Sequence, residues 1–141
     1  MQYWDIDEEH KQKGIDWDLS SCLEYNPQDF SVSDIVKVHA VWEGEHDGDG
    51  WRWVIEVNNC EKQFVFLCGW CDYTGWDCQS GATSVFANTA NEAVELAKLA
   101  KSTEYDCYNN LDDVYESLVK QLESEKAKTW YEKKDDELKA L

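Results

Sequence analysis

The sequence predicts an α+β domain: a three- to four-stranded antiparallel sheet followed by two helices, the last one long. Three observations carry that expectation. Apolar residues alternate through residues 35–68, they recur at three-to-four spacing from residue 89 onward, and short turns rich in Gly, Asn and Asp separate the β-rich runs. Strands gathered ahead of helices is the segregated order of α+β, unlike the alternation of α/β folds. At 141 residues, 43% of them apolar, the chain has room for a single domain with one core.

Each element follows from its local pattern. Residues 1–30 read as an acidic, irregular segment tacked down by Trp4, Ile6, Ile15, Trp17 and Leu23, with Pro27 in a turn. Residues 31–88 read as a β-meander carrying a loop rich in Cys and Trp. In its first strand, Val36, Val38, Ala40 and Trp42 share one face by alternation. Glu43–Gly50 is an acidic hairpin connection whose Asp-Gly pairs supply the positive-φ positions of tight turns. Trp51–Val57 is the second strand, with Trp51, Trp53, Ile55 and Val57 on one face. Lys62–Cys68 is the third, and Thr83–Ala87 a short fourth. Residues 89–141 form the helical part. Thr89-Ala-Asn-Glu92 fits a capping box, Ala93, Leu96, Ala97 and Ala100 lie on one helical face, and Leu111, Val114, Tyr115, Leu118 and Leu122 line the last helix. A sheet with one face against these helices gives a core of Val38, Trp42, Trp53, Ile55, Phe64, Phe66, Leu96, Leu111, Tyr115 and Leu118.

The net charge of −17 is unevenly spread. Residues 1–97 hold 19 Asp/Glu against 5 Lys/Arg, or −14, whereas residues 98–141 hold 11 against 8, or −3. An acidic surface of this kind repels nucleic acid and attracts basic surfaces at long range, with strong salt dependence. Residues 38–97 contain only Arg52 and Lys62 as basic residues, which argues against direct nucleic-acid binding. No run approaches the roughly 18–20 apolar residues of a membrane span. The acidic start, Met1–Glu9, lacks the basic-then-apolar layout of a secretory signal, so a cytoplasmic setting is expected.

The six cysteines (22, 60, 68, 71, 78 and 107) are expected as free, partly buried thiols, given that setting. Cys68 and Cys71 have the C-x2-C spacing that presents two thiolates to zinc, with Cys78 and Cys60 or Cys107 completing a tetrahedral set. The second C-x2-C pair of such sites is missing, so neither metal nor cofactor is expected. Cys71 and Cys78 could instead face each other as a redox pair. Asp47-Gly-Asp-Gly50 has a fragment of a calcium loop without its bidentate Glu. His10, His39 and His46 could serve catalysis beside a thiol, yet no nucleophile signature surrounds any cysteine and no glycine loop cradles phosphate. The expectation is a binding protein with no catalytic residues.

The stretch Val38-His-Ala-Val-Trp-Glu-Gly-Glu-His-Asp-Gly, followed by Trp51-Arg-Trp-Val and Gly69-Trp-Cys-Asp-Tyr-Thr-Gly-Trp-Asp-Cys-Gln-Ser80, resembles small proteins of bacteriophages and prophages over roughly residues 28–100. That resemblance implies a genomic setting in which small acidic proteins are often inhibitors of host defence, anti-CRISPR proteins among them, several of which imitate nucleic-acid charge. It carries no functional residues with it. The function expected is occlusion of a basic nucleic-acid-binding protein, such as a CRISPR nuclease, in the host cytoplasm. Contacts are assigned to Glu43, Glu45, Asp47 and Asp49 of the hairpin connection and to Asp72, Trp76 and Asp77 of the Cys/Trp loop. The alternatives are a small structural or regulatory binding protein whose acidity is incidental, with or without a zinc-stapled loop, and, third, a Cys-dependent enzyme.

Overall fold

A computed structural model of the chain describes residues 8–43, 50–58, 61–72, 79–100 and 112–125. Two helices come first, α1 (Glu8–Gln12) and α2 (Trp17–Tyr25), then a 3-10 turn at Val32–Asp34. Four strands follow, β1 (Ile35–Glu43), β2 (Trp51–Val57), β3 (Phe64–Asp72) and β4 (Gln79–Ala87), then helix α3 (Ala90–Ala100) and helix α4 over residues 112–125. The strands form one antiparallel sheet in sequential order, β1-β2-β3-β4. The α+β architecture expected from the pattern is therefore the one observed.

The N-terminal segment departs from expectation. Residues 1–30 were expected to be irregular, but Asp16 caps α2 by accepting a hydrogen bond from the Leu19 N–H at 2.9 Å. Leu19 and Leu23, four apart, bury one face of that helix, while Trp17 and Tyr25 stay exposed. The apolar positions are visible in the sequence, and the Asp16 cap is what turns them into a helix face.

The sheet is covered on both sides, not one. On one face Val54, Phe66, Cys68 and Ala87 pack against Ala93, Val94 and Ala97 of α3 and Val114, Tyr115, Leu118 and Leu122 of α4. On the other, Trp53, Ile55, Val57, Val65 and Leu67 pack against Ile15, Leu19, Leu23 and Phe30 of the N-terminal segment. The central strands consequently bury consecutive residues, Arg52–Ile55 and Val65–Cys68, as strands covered on both faces must. Trp53, Ile55, Phe66, Tyr115 and Leu118 are core residues as expected, while Val38, Trp42, Phe64 and Leu96 are half-buried at its margins. Leu111 lies outside the described residues.

The first strand corrects a second expectation. Its pairing with β2 slips between Ile35 and Lys37 and again between Val38 and Ala40. Each bulge inserts a residue and inverts the alternation beyond it. Val38 therefore joins the face of the N-terminal segment, whereas Ala40 and Trp42 join the helical face, and Val36 is exposed. The third and fourth strands also extend further than expected. Their register runs unbroken from Phe64–Ala87 to Asp72–Gln79, so Cys68–Asp72 is strand and not loop. Gly81 permits this length: a side chain there would strike the indole of Trp70, its cross-strand partner.

Among the described residues no helix is long and apolar enough to cross a membrane.

Candidate functional site

The meander brings Glu43 and Asp72, two of the expected contact residues, to one end of the sheet. The β1–β2 and β3–β4 connections both leave from that end, because Glu43 pairs with Trp51, Trp51 with Gly69, and β3 runs on to Asp72. Glu43 is the exposed last residue of β1. Asp72 closes β3 opposite Gln79. Glu45, Asp47, Asp49, Trp76 and Asp77 fall outside the described residues. At Gly50 (φ 69°) the chain enters β2 so close to β3 that a Cβ would collide with the Gly69 carbonyl oxygen.

Two acids that sequence reasoning did not assign join this end. Asp18, in the first turn of α2, sits near enough to the N-cap Asp16 and to Glu43 for their charges to be felt. Burial, then the Asp16 and Glu43 carboxylates, push the Asp18 carboxyl above its ordinary value. A folded protein that keeps like charges this close holds a local concentration of negative potential. No sequence signal linked Asp18 to Glu43, since 25 residues separate them and only the docking of α2 on the sheet brings them together.

Described basic residues do little to offset the acids. Lys11 pairs with Glu8, Lys13 with Glu9, Lys37 with Glu125, Lys98 with Glu95 and Lys120 with Glu116. Arg52 is 1% exposed, lies over the Trp42 ring at 5.8 Å and donates to the Trp51 carbonyl at 3.2 Å. Among the described lysines only Lys62 stands without a carboxylate partner.

A second cluster lies on the helical side of β1. His39 Nδ1 lies 2.8 and 2.7 Å from the two carboxylate oxygens of Glu125, and Nε2 lies 2.9 Å from Glu56 Oε1. Lys37 also donates to Glu125. Burial raises the Glu125 carboxyl, but the Lys37 and His39 hydrogen bonds, with their charges, outweigh it and hold it below the ordinary carboxylate value. A cleft of about 520 Å³ opens beside this cluster, lined by His39, Phe64, Thr89, Ala90, Leu122 and Glu125 among others. Its hydroxyl, Thr89 Oγ1, accepts the Glu92 N–H at 3.0 Å as the α3 cap, which is the hydroxyl half of the expected capping box. With both imidazole nitrogens held by carboxylates and the hydroxyl occupied, the cluster fastens α4 to the sheet edge. The sequence placed His39 among possible catalytic residues; its partners, 17 and 86 positions away, could not be read from spacing.

Comparison with known proteins finds no matching family model, no matching curated protein and no matching solved structure. Cys22 is half-buried and Cys68 buried. Among the described residues no group of three or more His, Cys, Asp or Glu side chains converges to hold a metal ion. The C-x2-C spacing at Cys68 falls on a regular strand.

Proposed function

We propose that this protein works without turnover, as an acidic binding protein that occludes the basic nucleic-acid-binding surface of another protein. The observation that carries this reading is the imbalance of the described surface. One lysine lacks a carboxylate partner, while Asp16, Asp18 and Glu43 gather at the sheet end where the acidic 44–49 connection begins. Such a patch steers association with a basic channel, and several weak charge contacts acting together supply affinity that single exposed pairs, worth about 0–1 kcal/mol, cannot. The resemblance to small phage proteins supports a setting in host-defence evasion, with CRISPR nucleases as the first partners to test, in the host cytoplasm.

The test is binding kinetics against a panel of purified CRISPR nucleases at low and moderate salt, with and without their nucleic acid. The expected result is salt-sensitive binding that competes with nucleic acid. Replacing Glu43, Glu45, Asp47 and Asp49 by Gln or Asn should slow association while the fold survives. Replacing Glu123, Glu125, Glu132 and Glu137 should slow it less. Affinity indifferent to salt and to the hairpin acids, yet abolished by Trp76→Ala, would replace charge occlusion with an apolar contact through the Cys/Trp loop.

A further inference from the structure

The two outer edges of the sheet are treated differently. Along β1 outward ladder groups at Val38 and Val41 are covered. The Val38 N–H donates to the Lys13 carbonyl at 2.7 Å. Val41 exchanges two hydrogen bonds with the side-chain amide of Gln121 in α4, each of 2.9 Å. Two bulges and Lys37 complete a protected edge.

Among the described residues the β4 edge has none of these devices. Antiparallel ladders alternate, so the outward-facing positions can be counted across the sheet. Val41 turns its N–H and carbonyl outward to Gln121, so its partner Trp53 bonds toward β3, and Leu67 opposite Trp53 bonds back toward β2. Ser84, opposite Leu67, must then turn its N–H and carbonyl outward, and by alternation so do Ala82 and Phe86. These outward groups have no backbone partner among the described residues. In a chain of charge −17, all nine residues of β4, Gln79-Ser-Gly-Ala-Thr-Ser-Val-Phe-Ala87, are uncharged, and its register with β3 has no bulge. A long, flat, charge-free edge is a template for another strand.

A groove adjoins this edge. The Ser84 hydroxyl donates to Gln28 Oε1 at 2.6 Å, and Phe30 meets Phe86 edge-on with ring centres 6.2 Å apart. Gln28 and Phe30 belong to the wall of a groove of about 590 Å³, which also carries Glu24, Asp29 and Asp34. Ser20, 4% exposed, lines it too, and its hydroxyl has no hydrogen-bond partner among the described residues. Glu24, Asp29 and Asp34 make that groove acidic, and an acidic groove draws basic side chains.

We propose that the β4 edge accepts an extended, lysine- or arginine-bearing segment of a partner protein as a fifth strand, with basic side chains on one of its faces entering the adjoining acidic groove. The proposal rests on the basic-partner reading above and adds where and how the partner is held. Backbone hydrogen bonds to Ala82, Ser84 and Phe86 would set the register, and alternate side chains on the groove side would meet Glu24 and Asp29.

The probe is a short labelled peptide alternating Lys and Thr, its alternately N-methylated form, and a version with Glu in place of Lys, followed by fluorescence polarisation at low salt. Wild type and Ser84→Ala should bind the lysine peptide saturably. Ser84→Pro, which deletes one outward N–H at an edge where proline is sterically allowed, should weaken it about tenfold, and N-methylation of the peptide should do the same to wild type. Glu24→Gln with Asp29→Asn should weaken it as well. The N-methylated arm needs no variant, so the test survives if Ser84→Pro misfolds in circular dichroism. Undiminished binding of the N-methylated peptide would overturn strand addition while leaving the basic-partner reading intact. Equal binding of the Glu peptide, lost in Ser84→Pro, would keep the edge but overturn the basic segment and the reading beneath it. Absence of saturable binding by any peptide overturns the acceptor edge, and wild-type self-association abolished by Ser84→Pro would give the edge to a second copy instead.

Discussion

Phe66 has no solvent exposure and sits between the Tyr115 ring, 6.0 Å away, and the small residues of α3. Truncation there removes apolar burial and leaves a cavity that the strand cannot close, because its neighbours belong to two rigid layers. Phe66→Ala should therefore cost about 3–5 kcal/mol in denaturant unfolding, and a loss below about 1 kcal/mol would contradict the packing described. Asp18 behaves in the opposite sense. Its carboxyl is raised by burial and by Asp16 and Glu43, so the ionised form is disfavoured in the folded state. A raised carboxyl contributes stability below its unfolded value of 3.8 and loses it as pH rises through the folded value. Asp18→Asn should accordingly stabilise the protein at neutral pH and give progressively less benefit toward pH 3. Thermal melts across that range check it, and a benefit unchanged by pH would show that charge is not the cause.

At the scale of elements, Glu125 ties the last helix to β1 through Lys37 and His39, and its depressed carboxyl reverses the sign. A lowered carboxyl contributes stability above its unfolded value of 4.5 and loses it as pH falls through the folded value. The stability gap between wild type and Glu125→Gln should be widest near neutrality and close below about pH 4.5; a gap that stays constant into acid would assign the effect to packing. This contact also illustrates what the sequence could and could not disclose. The period-two runs at residues 51–57 and 64–67 and the three-to-four repeat Val114, Tyr115, Leu118, Leu122 identified strands and helix because local geometry alone sets those periods. Bulges in β1 depend on what β2 offers opposite, and the second covered face depends on α2 folding back across the sheet, so neither leaves a local trace. The same holds for the candidate site. Glu43 was legible as part of an acidic connection, whereas Asp16 and Asp18 joined it only through tertiary docking. The alternation of β2 put Arg52 and Val54 on the face opposite Trp53 and Ile55, which a sheet covered on one side would leave to solvent; both are buried because the sheet is covered on its second face as well.

For the molecule as a whole, self-repulsion from a charge of −17 is a standing penalty on the compact state. Screening relieves it, since the Debye length shortens from about 30 Å at 0.01 M salt to about 10 Å at 0.1 M. Moving from low to moderate salt should therefore raise the melting temperature at neutral pH while weakening any partner that arrives by charge attraction; a melting temperature that falls would mean the surface ion pairs outweigh the repulsion. Stability and recognition thus respond to salt in opposite directions, and Asp18→Asn should trade one for the other in the same way. The amide of Gln121 has its own bearing on how the chain comes into being. It lies 80 positions after the strand it seals. A ribosome delivers the complete sheet, β1 through β4, well before residue 121 emerges. Each nascent copy therefore passes through an interval in which β1 is formed and its Val41 groups still lack the glutamine. Neighbouring copies on one messenger are then at their most adhesive, and chaperone occupancy should be greatest just before α4 leaves the exit tunnel. Pausing translation ahead of that codon would lengthen the interval and lower the yield of folded protein, whereas Gln121→Leu would make the exposure permanent.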